Sequence, residues 1–560
     1  MMKKWKVIAK RIFAFSLTAI LVSGTSSLPA FAKDVAIEES GGWLETAYTT
    51  WRPVPGATAY HVYVKSANAN DSAYTQIDDE LIREYPSYWR ADAVGLPAGN
   101  YVMKVEAVHS NGTKEDTVTN SLNVNAHDRS GFAFSSDSPF KTGSGAYEEN
   151  GALKEGAQVI YVTSDTAKTV TLDVIVNKSG KKQTATGIGE ILKLREKGYD
   201  KTPLAIRFVG QVTKQDVSGQ LNSNGYLQVK GKGSYAEMNM TLEGIGEDAT
   251  AYGWGILVRN CGNTEIRNLG LMMFPDDGVS LDTSNCNVWV HNNDFFYGTA
   301  GSDADQAKGD GSADVKKGST YITLSFNHFW DSGKSSLCGL SETSEFFVTY
   351  HHNWFDHSDS RHPRIRTGSV HIYNNYYDGN AKYGVGITSG GSAFVEANDF
   401  RNCKYPMMIS LQGTDALGKG TFSKEDGGMI KAFQNKVEGA NSLIYANSDS
   451  GTTTADAVQF DAYLSSSRNE TVPDSYKAFK GNTAYNNFDT KKDIGVSASD
   501  VDDVNEVRDV VTEKAGRLNK GDFTWEFDNA VDDTSYNMND GLMAKIRSYH
   551  TELVSIGGIK

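Results

Sequence analysis

An asparagine followed two residues later by an aromatic or aliphatic side chain, at the end of a strand-like run, recurs along the middle of this chain. It stands at Asn268, Asn293, Asn327, Asn353, Asn375, Asn398 and Asn435, in steps of 25, 34, 26, 22, 23 and 37 residues. The first copy, Asn268-Leu-Gly, fits only loosely. A period of 22–26 with longer intervals fits a solenoid making one coil per repeat, the extra residues leaving as side loops. A β-sandwich with coincidental Asn turns would have to match at every step by accident. Asn accepts left-handed backbone, so these residues are expected to mark one corner on successive coils. The fold class predicted is all-β, a right-handed parallel β-helix over residues 142–560 with a C-terminal helical segment. A helix predicted over Gly187–Lys197 would cover the first open edge of the stack.

The text before the repeat is different. Lys3, Lys4, Lys6, Lys10 and Arg11, an apolar run Ile12–Val22 and Ala30-Phe31-Ala32 predict a signal peptide over 1–32 and an extracellular, secreted product. Its removal takes the net charge from −14 to −19, which argues against nucleic acid as a general partner. No later run is long enough to suggest a membrane partner. Period-two strands around Tyr60 and Tyr101, separated by Gly and Asn turns, predict a small β-sandwich over 33–127 that resembles a fibronectin type III module. Residues 128–141 have linker composition. Four cysteines do not make a disulfide scaffold in a chain of 560 residues. Cys261 and Cys286, each seven residues before its Asn, are expected to stack on adjacent coils as a disulfide or an apolar pair. Val504, Val507, Val511, Ala515 and Leu518 have helical spacing after a Ser/Asp cap at 497–500 and predict a helix along the outside.

Counting from the asparagines places charges as well. Asp277 lies 16 residues before its corner and Asp310 lies 17 before the next, so the two carboxylates are expected about one strand spacing apart. Asp314 would share a strand face with Asp310. Three oxygen donors without Cys or His nearby favour a hard cation such as Ca²⁺; a solvated acidic face is the alternative. Lys334 follows its corner by 7 and Arg361 by 8, and Arg366 is close behind. A cationic row beside a cation site suits a ligand that supplies many carboxylates, although structural ion pairing would also use these groups.

Asp277-Gly-Val-Ser-Leu, Asn287-Val-Trp-Val-His-Asn, Asp310-Gly-Ser-Ala-Asp314-Val-Lys-Lys-Gly, Lys334-Ser-Ser-Leu-Cys-Gly and Arg361-His-Pro-Arg-Ile-Arg366 resemble the motifs of the pectate lyase family of right-handed parallel β-helices. The resemblance covers about Thr202–Gln412. It implies that Asp277, Asp310 and Asp314 bind Ca²⁺, that Lys334 and Arg366 hold uronate carboxylates, and that Arg361 takes the proton. The pair Asp276-Asp277 leaves the first ligand open by one residue, and Asp310 stands where some relatives have Glu.

The activity so implied is β-elimination of de-esterified polygalacturonate by a secreted, Ca²⁺-dependent enzyme, expected to be a monomer with the polysaccharide as its partner. A lyase for methyl-esterified pectin would not need the carboxylate cluster. A hydrolase would need paired catalytic carboxylates and leaves the cationic row unexplained. A non-catalytic polyuronate-binding solenoid leaves the site unexplained.

Overall fold

The computed structural model describes residues 34–301, 307–416, 422–448 and 460–559. The expected signal peptide, 1–32, lies outside them. Over the middle of the chain the backbone repeats three short parallel strands per coil. One coil comprises Cys286–His291, Asp294–Phe295 and Ala313–Lys316, and the next Thr320–Ser325, His328–Trp330 and Leu337–Cys338. Pairing runs in register from coil to coil, as in Val288, Ile322, Val348, Val370, Ala393 and Ile430. The first and second strands join a 19-stranded sheet and the third strands form an eight-stranded one. This is the expected right-handed parallel β-helix, whose core is continuous because each coil buries its inward residues only on its neighbours. Phe295, Phe329, Phe355, Tyr377 and Phe400 make an interior column with ring centroids 5.0, 5.0, 5.1 and 4.1 Å apart. Such pairs add about 0.5–1.5 kcal/mol each beyond their burial.

The asparagines stack as expected but for another reason. The left-handed residue is the one before each: Asn292, Phe326, His352, Asn374, Ala397 and Gln434 have φ between 50 and 52°. The asparagine itself satisfies the corner with its side chain. Asn353 donates its N–H and Nδ2 to Asn375 Oδ1 at 3.0 and 2.9 Å, and its own Oδ1 accepts the same two donors of Asn327 at 3.1 and 3.0 Å. The loose first copy is one residue out, since the Leu269 N–H donates to Asn293 Oδ1 at 3.1 Å. That slip also breaks the expected cysteine stack. Cys286 pairs with Gly262, and all four cysteines are buried free thiols; a one-residue offset in a strand turns a side chain to the other face.

Residues 34–126 form two antiparallel sheets closed over Trp51, Tyr60 and Trp89. This unit shares its core with the solenoid through Val209 and Ile245, and the chain's last strand, Ser555–Ile556, pairs with Arg83–Glu84 at its edge. Arg83 donates to Ile245 O at 2.9 Å and Arg90 pairs with Glu247 at 2.8 Å. The stretch 128–141 is laid against the long sheet: Phe132 and Ala133 donate their N–H groups to Thr349 and Thr323 Oγ1 at 3.0 Å each. Gly131 has φ 95°, and a Cβ there would meet Thr323 Oγ1 at 2.7 Å, so only glycine allows this approach.

The helix Ile188–Arg195 buries Ile188, Ile191, Leu192 and Leu194 and packs on the strand Tyr226–Lys230. The C-terminal helix is shorter than its apolar spacing predicts, Val507–Lys514, and the Ser497 capping box serves a separate turn, Ala498–Asp500. Val507, Val511 and Ala515 rest on Tyr376 and Trp354 outside the solenoid. Among the described residues no helix is long and apolar enough to cross a membrane.

Candidate active site

The polar residues of interest gather where the third strands begin. Parallel pairing of Val279 with Ala313 and of Ser280 with Asp314 fixes two adjacent coils. Continuing that register sets Asp310 opposite Asp276, one residue from Asp277. Asp276, Asp277 and Asp310 each present a carboxylate oxygen within 4.8 Å of the others. Asp314 joins them through a cation: its Oδ2 lies 3.2 Å from Lys316 Nζ, which is 2.5 Å from Asp277 Oδ2. Asp314 and Lys316 are two apart on one strand and so share its outward face. Asp314 Oδ1 accepts the Leu337 N–H at 2.9 Å. Burial and the Asp314 carboxylate push Asp277 up to about 7, against the opposing pull of Lys316. Four carboxylates against two lysines, Lys316 on Asp277 and Asp314 and Lys334 at 3.7 Å from Asp310, leave the cluster short of positive charge. Oxygen-only donors of this kind, with Asp276 and Asp310 part-exposed, fit a hard divalent cation such as Ca²⁺.

The cationic row begins one coil further on. Lys334 is 5 % exposed, its Nζ stands 3.7 Å from Asp310 Oδ1, and its backbone bridges Gly311. On the next coil the Arg361 carbonyl accepts the Ser336 N–H at 2.8 Å, so Lys334 and Arg361 are neighbours offset by about one position. Arg361 has a left-handed backbone, φ 63°, a costly conformation for a long side chain and one that collects at functional sites. Among the described residues no carboxylate pairs with its guanidinium. Arg366, by contrast, already has a partner: its Nε donates to both oxygens of Glu425, at 2.9 and 3.0 Å, and its Nη1 to Gly339 O at 3.2 Å.

Sequence reasoning missed Lys316, Arg364 and Glu425. Lys316 was legible from strand periodicity, two residues after Asp314. Arg364 shares an outward face with Arg366, and burial together with Arg366 depresses it below the ordinary guanidinium range. Glu425 carried no signal, because it arrives on a loop 59 residues downstream.

A family model described as pectate lyase matches residues 176–466, more than half of the chain. The chain belongs to the pectate lyase family. Its similarity to the pectate trisaccharide-lyase of Bacillus licheniformis is 32 % identity over 228 residues, 40 % of this chain and 63 % of that protein. To pectate lyase B of Dickeya chrysanthemi it is 31 % over 225 residues, 38 % and 60 % of the respective chains. The chain thus spans about three fifths of the length of these curated relatives. A solved pectate lyase from Bacillus sp. N165 in complex with trigalacturonate superposes with a TM-score of 0.45 at 21 % identity, covering 70 % of this chain and 99 % of that one. The pectate lyase match contains every acidic and basic site residue from Asp276 to Glu425, while the two-sheet unit and the strap 128–141 precede it.

Proposed function

We propose that this chain is a secreted, Ca²⁺-dependent pectate lyase, a monomer that cleaves de-esterified polygalacturonate by β-elimination. The observation that carries this reading is the adjacency, on successive coils, of the Asp276, Asp277 and Asp310 carboxylates and a row of cations in which Arg361 has no carboxylate partner among the described residues. Fixed positive charge beside a cation site is unfavourable in isolation and suits a polymer that brings its own carboxylates.

Asp276, Asp277 and Asp310, with Asp314 behind them, would hold Ca²⁺, which when bound supplies Lewis acidity toward a uronate carboxylate. Elimination removes the C5 proton, α to the C6 carboxylate; the electrons of that bond form the C4–C5 double bond as the C4–O bond breaks, and the leaving oxygen takes a proton from solvent. In this reading Arg361 accepts the C5 proton. Lys334 and Arg366 orient the sugar and stabilise the negative charge that grows on its carboxyl oxygens. A guanidine acts as a base only in its neutral form, which alkaline medium favours.

The test is spectroscopic. Purified protein with polygalacturonate and Ca²⁺ is expected to generate the ultraviolet absorbance of a conjugated unsaturated product, and excess chelator to abolish it. Chain shortening without that absorbance would overturn the lyase reading in favour of hydrolysis.

A further inference from the structure

One buried ammonium links the turns that carry three of the site residues. Lys308 is 4 % exposed, and its Nζ stands 2.5 Å from Asp331 Oδ1 and 2.7 Å from Asp359 Oδ1. These residues lie on successive coils, each in the turn between the second and third strands. Each also sits just ahead of a residue of the site: Lys308 two before Asp310, Asp331 three before Lys334, and Asp359 two before Arg361. The backbone around them is closely held. Lys308 O accepts the Gly298 N–H at 3.0 Å, and the next residue, Gly309, has φ 104° and lies so close that a Cβ would meet Gly298 Cα at 2.6 Å. Only glycine permits that approach. The Asp331 N–H donates to Asp356 O and the Asp359 N–H to Ser332 O, each at 2.8 Å. The second oxygen of Asp331 accepts the Tyr297 hydroxyl, which in turn accepts the Asn539 N–H at 2.9 Å.

We propose that Lys308 is a positioning residue for the reaction: its ammonium, shared by Asp331 and Asp359, holds the turns that carry Asp310, Lys334 and Arg361 at a fixed spacing. It is too deeply buried to meet the polymer and acts through those three side chains. Two buried carboxylates on neighbouring turns repel each other, and a cation between them turns that repulsion into a clamp. Elimination needs the carboxylate cluster, the cation that orients the sugar and the base in register at the same moment. A displacement of about 1 Å between reacting groups costs roughly a hundredfold in rate, and groups that orient metal ligands typically change metal affinity by about 10–100-fold. A part common to all three turns therefore governs kcat and Ca²⁺ affinity together. The nature of the reaction rests on the pectate lyase reading.

The experiment compares full-length wild type with Lys308→Met and with the triple variant Lys308→Met, Asp331→Asn, Asp359→Asn. The triple variant leaves none of the three charges buried, so it keeps the test open if the single variant does not fold. Melting curves report stability, calorimetry the Ca²⁺ affinity without substrate, and steady-state kinetics on polygalacturonate in saturating Ca²⁺ give kcat and KM. The folded variants are expected to bind Ca²⁺ about tenfold more weakly and to lose about tenfold or more in kcat, with KM little changed. A residue that only stabilises the fold lowers the melting temperature and leaves Ca²⁺ affinity and kcat of the folded protein near wild type; that result overturns the proposal and leaves the lyase reading standing. If wild type itself forms no unsaturated product, the lyase reading falls, and the calorimetry alone decides: weakened Ca²⁺ binding upholds the hold of Lys308 on Asp310, and unchanged binding removes it.

Discussion

Lys316 and Asp277 face each other across neighbouring coils, Nζ to Oδ2 at 2.5 Å, and the same ammonium lies 3.2 Å from Asp314. It is the built-in counter-ion of a group of buried carboxylates. Burial works against its charge, yet Asp314 and Asp277 raise it above the ordinary lysine range. Removing one partner of a buried pair costs on the order of 3 kcal/mol because the other charge is left uncompensated. Lys316→Met is therefore expected to melt several degrees below wild type in chelator and to regain much of that loss in millimolar Ca²⁺, since a ligand of the folded state stabilises it by mass action. Melting curves with and without Ca²⁺ check this; a deficit unaffected by Ca²⁺ would count against the metal assignment.

The acidic residues should separate by their position. Asp277→Asn and Asp310→Ala remove groups of the cluster itself and are expected to raise the Ca²⁺ concentration for half-maximal turnover by about a hundredfold, Asp314→Ala by nearer tenfold because it acts through Lys316. Calcium titrations of activity give the ordering. A larger effect for Asp314 than for Asp310 would reassign the ligands.

On the proposed mechanism, Arg361→Lys keeps the charge but moves the proton acceptor, and a displacement of about 1 Å can cost roughly a hundredfold in rate. Its expected signature is a fall in kcat with little change in KM. Arg366→Lys is expected to raise KM instead, as when uniform binding is lost. Near-normal kcat for a well-folded Arg361→Lys protein would refute the base assignment.

The asparagine ladder sets stability. Asn353→Ala would strand the N–H of Asn327, leave its Nδ2 with Val290 O as acceptor, and take a donor from the carbonyl of Leu324 inside the wall. Each buried group left unpaired costs about 1–3 kcal/mol. Asn435→Ala, at the part-buried end of the ladder, is expected to cost less than half as much. Urea unfolding of the two variants decides; equal losses would mean the ladder is not cooperative along its length.

A pH-dependent clamp lies outside the catalytic groove. His357 Nδ1 is 2.6 Å from Asp356 and its Nε2 3.1 Å from Asp533, which the C-terminal segment brings in. Burial alone would lower His357, but Asp356 and Asp533 outweigh it and push it up to about 10. The sign follows: the raised group stabilises fully below the ordinary histidine range, and its contribution fades as pH rises from there through about 10. For Asp533, burial is outweighed by His357, Arg401 and Asn402, which hold it well below the usual range, so its contribution is lost only in strong acid. His357→Gln is expected to flatten the fall in melting temperature between pH 7 and 10. An unchanged slope would place the pH dependence elsewhere.

Repeat spacing made the solenoid legible because every coil must close within the same length of chain, and an inward residue at a fixed station must meet its equivalent one coil away. For the same reason Asp310 and Asp277, and Lys334 and Arg361, came out as near neighbours from their distances to the asparagines. Cys261 failed the same argument because its reference corner, Asn268, is one residue out of phase with the ladder, and alternation leaves no tolerance for a single step.

The sequence by itself thus determined the coil, its wall of asparagines and aromatics, and the order of charges along one edge, all of which are periodic and local. Only the tertiary structure decided that Glu425 closes on Arg366 and that Ser555 returns 471 residues to complete the sheet at Glu84. Those contacts are made by loops and tails whose length obeys no period, so shape and charge choose their partners only once the coils are stacked.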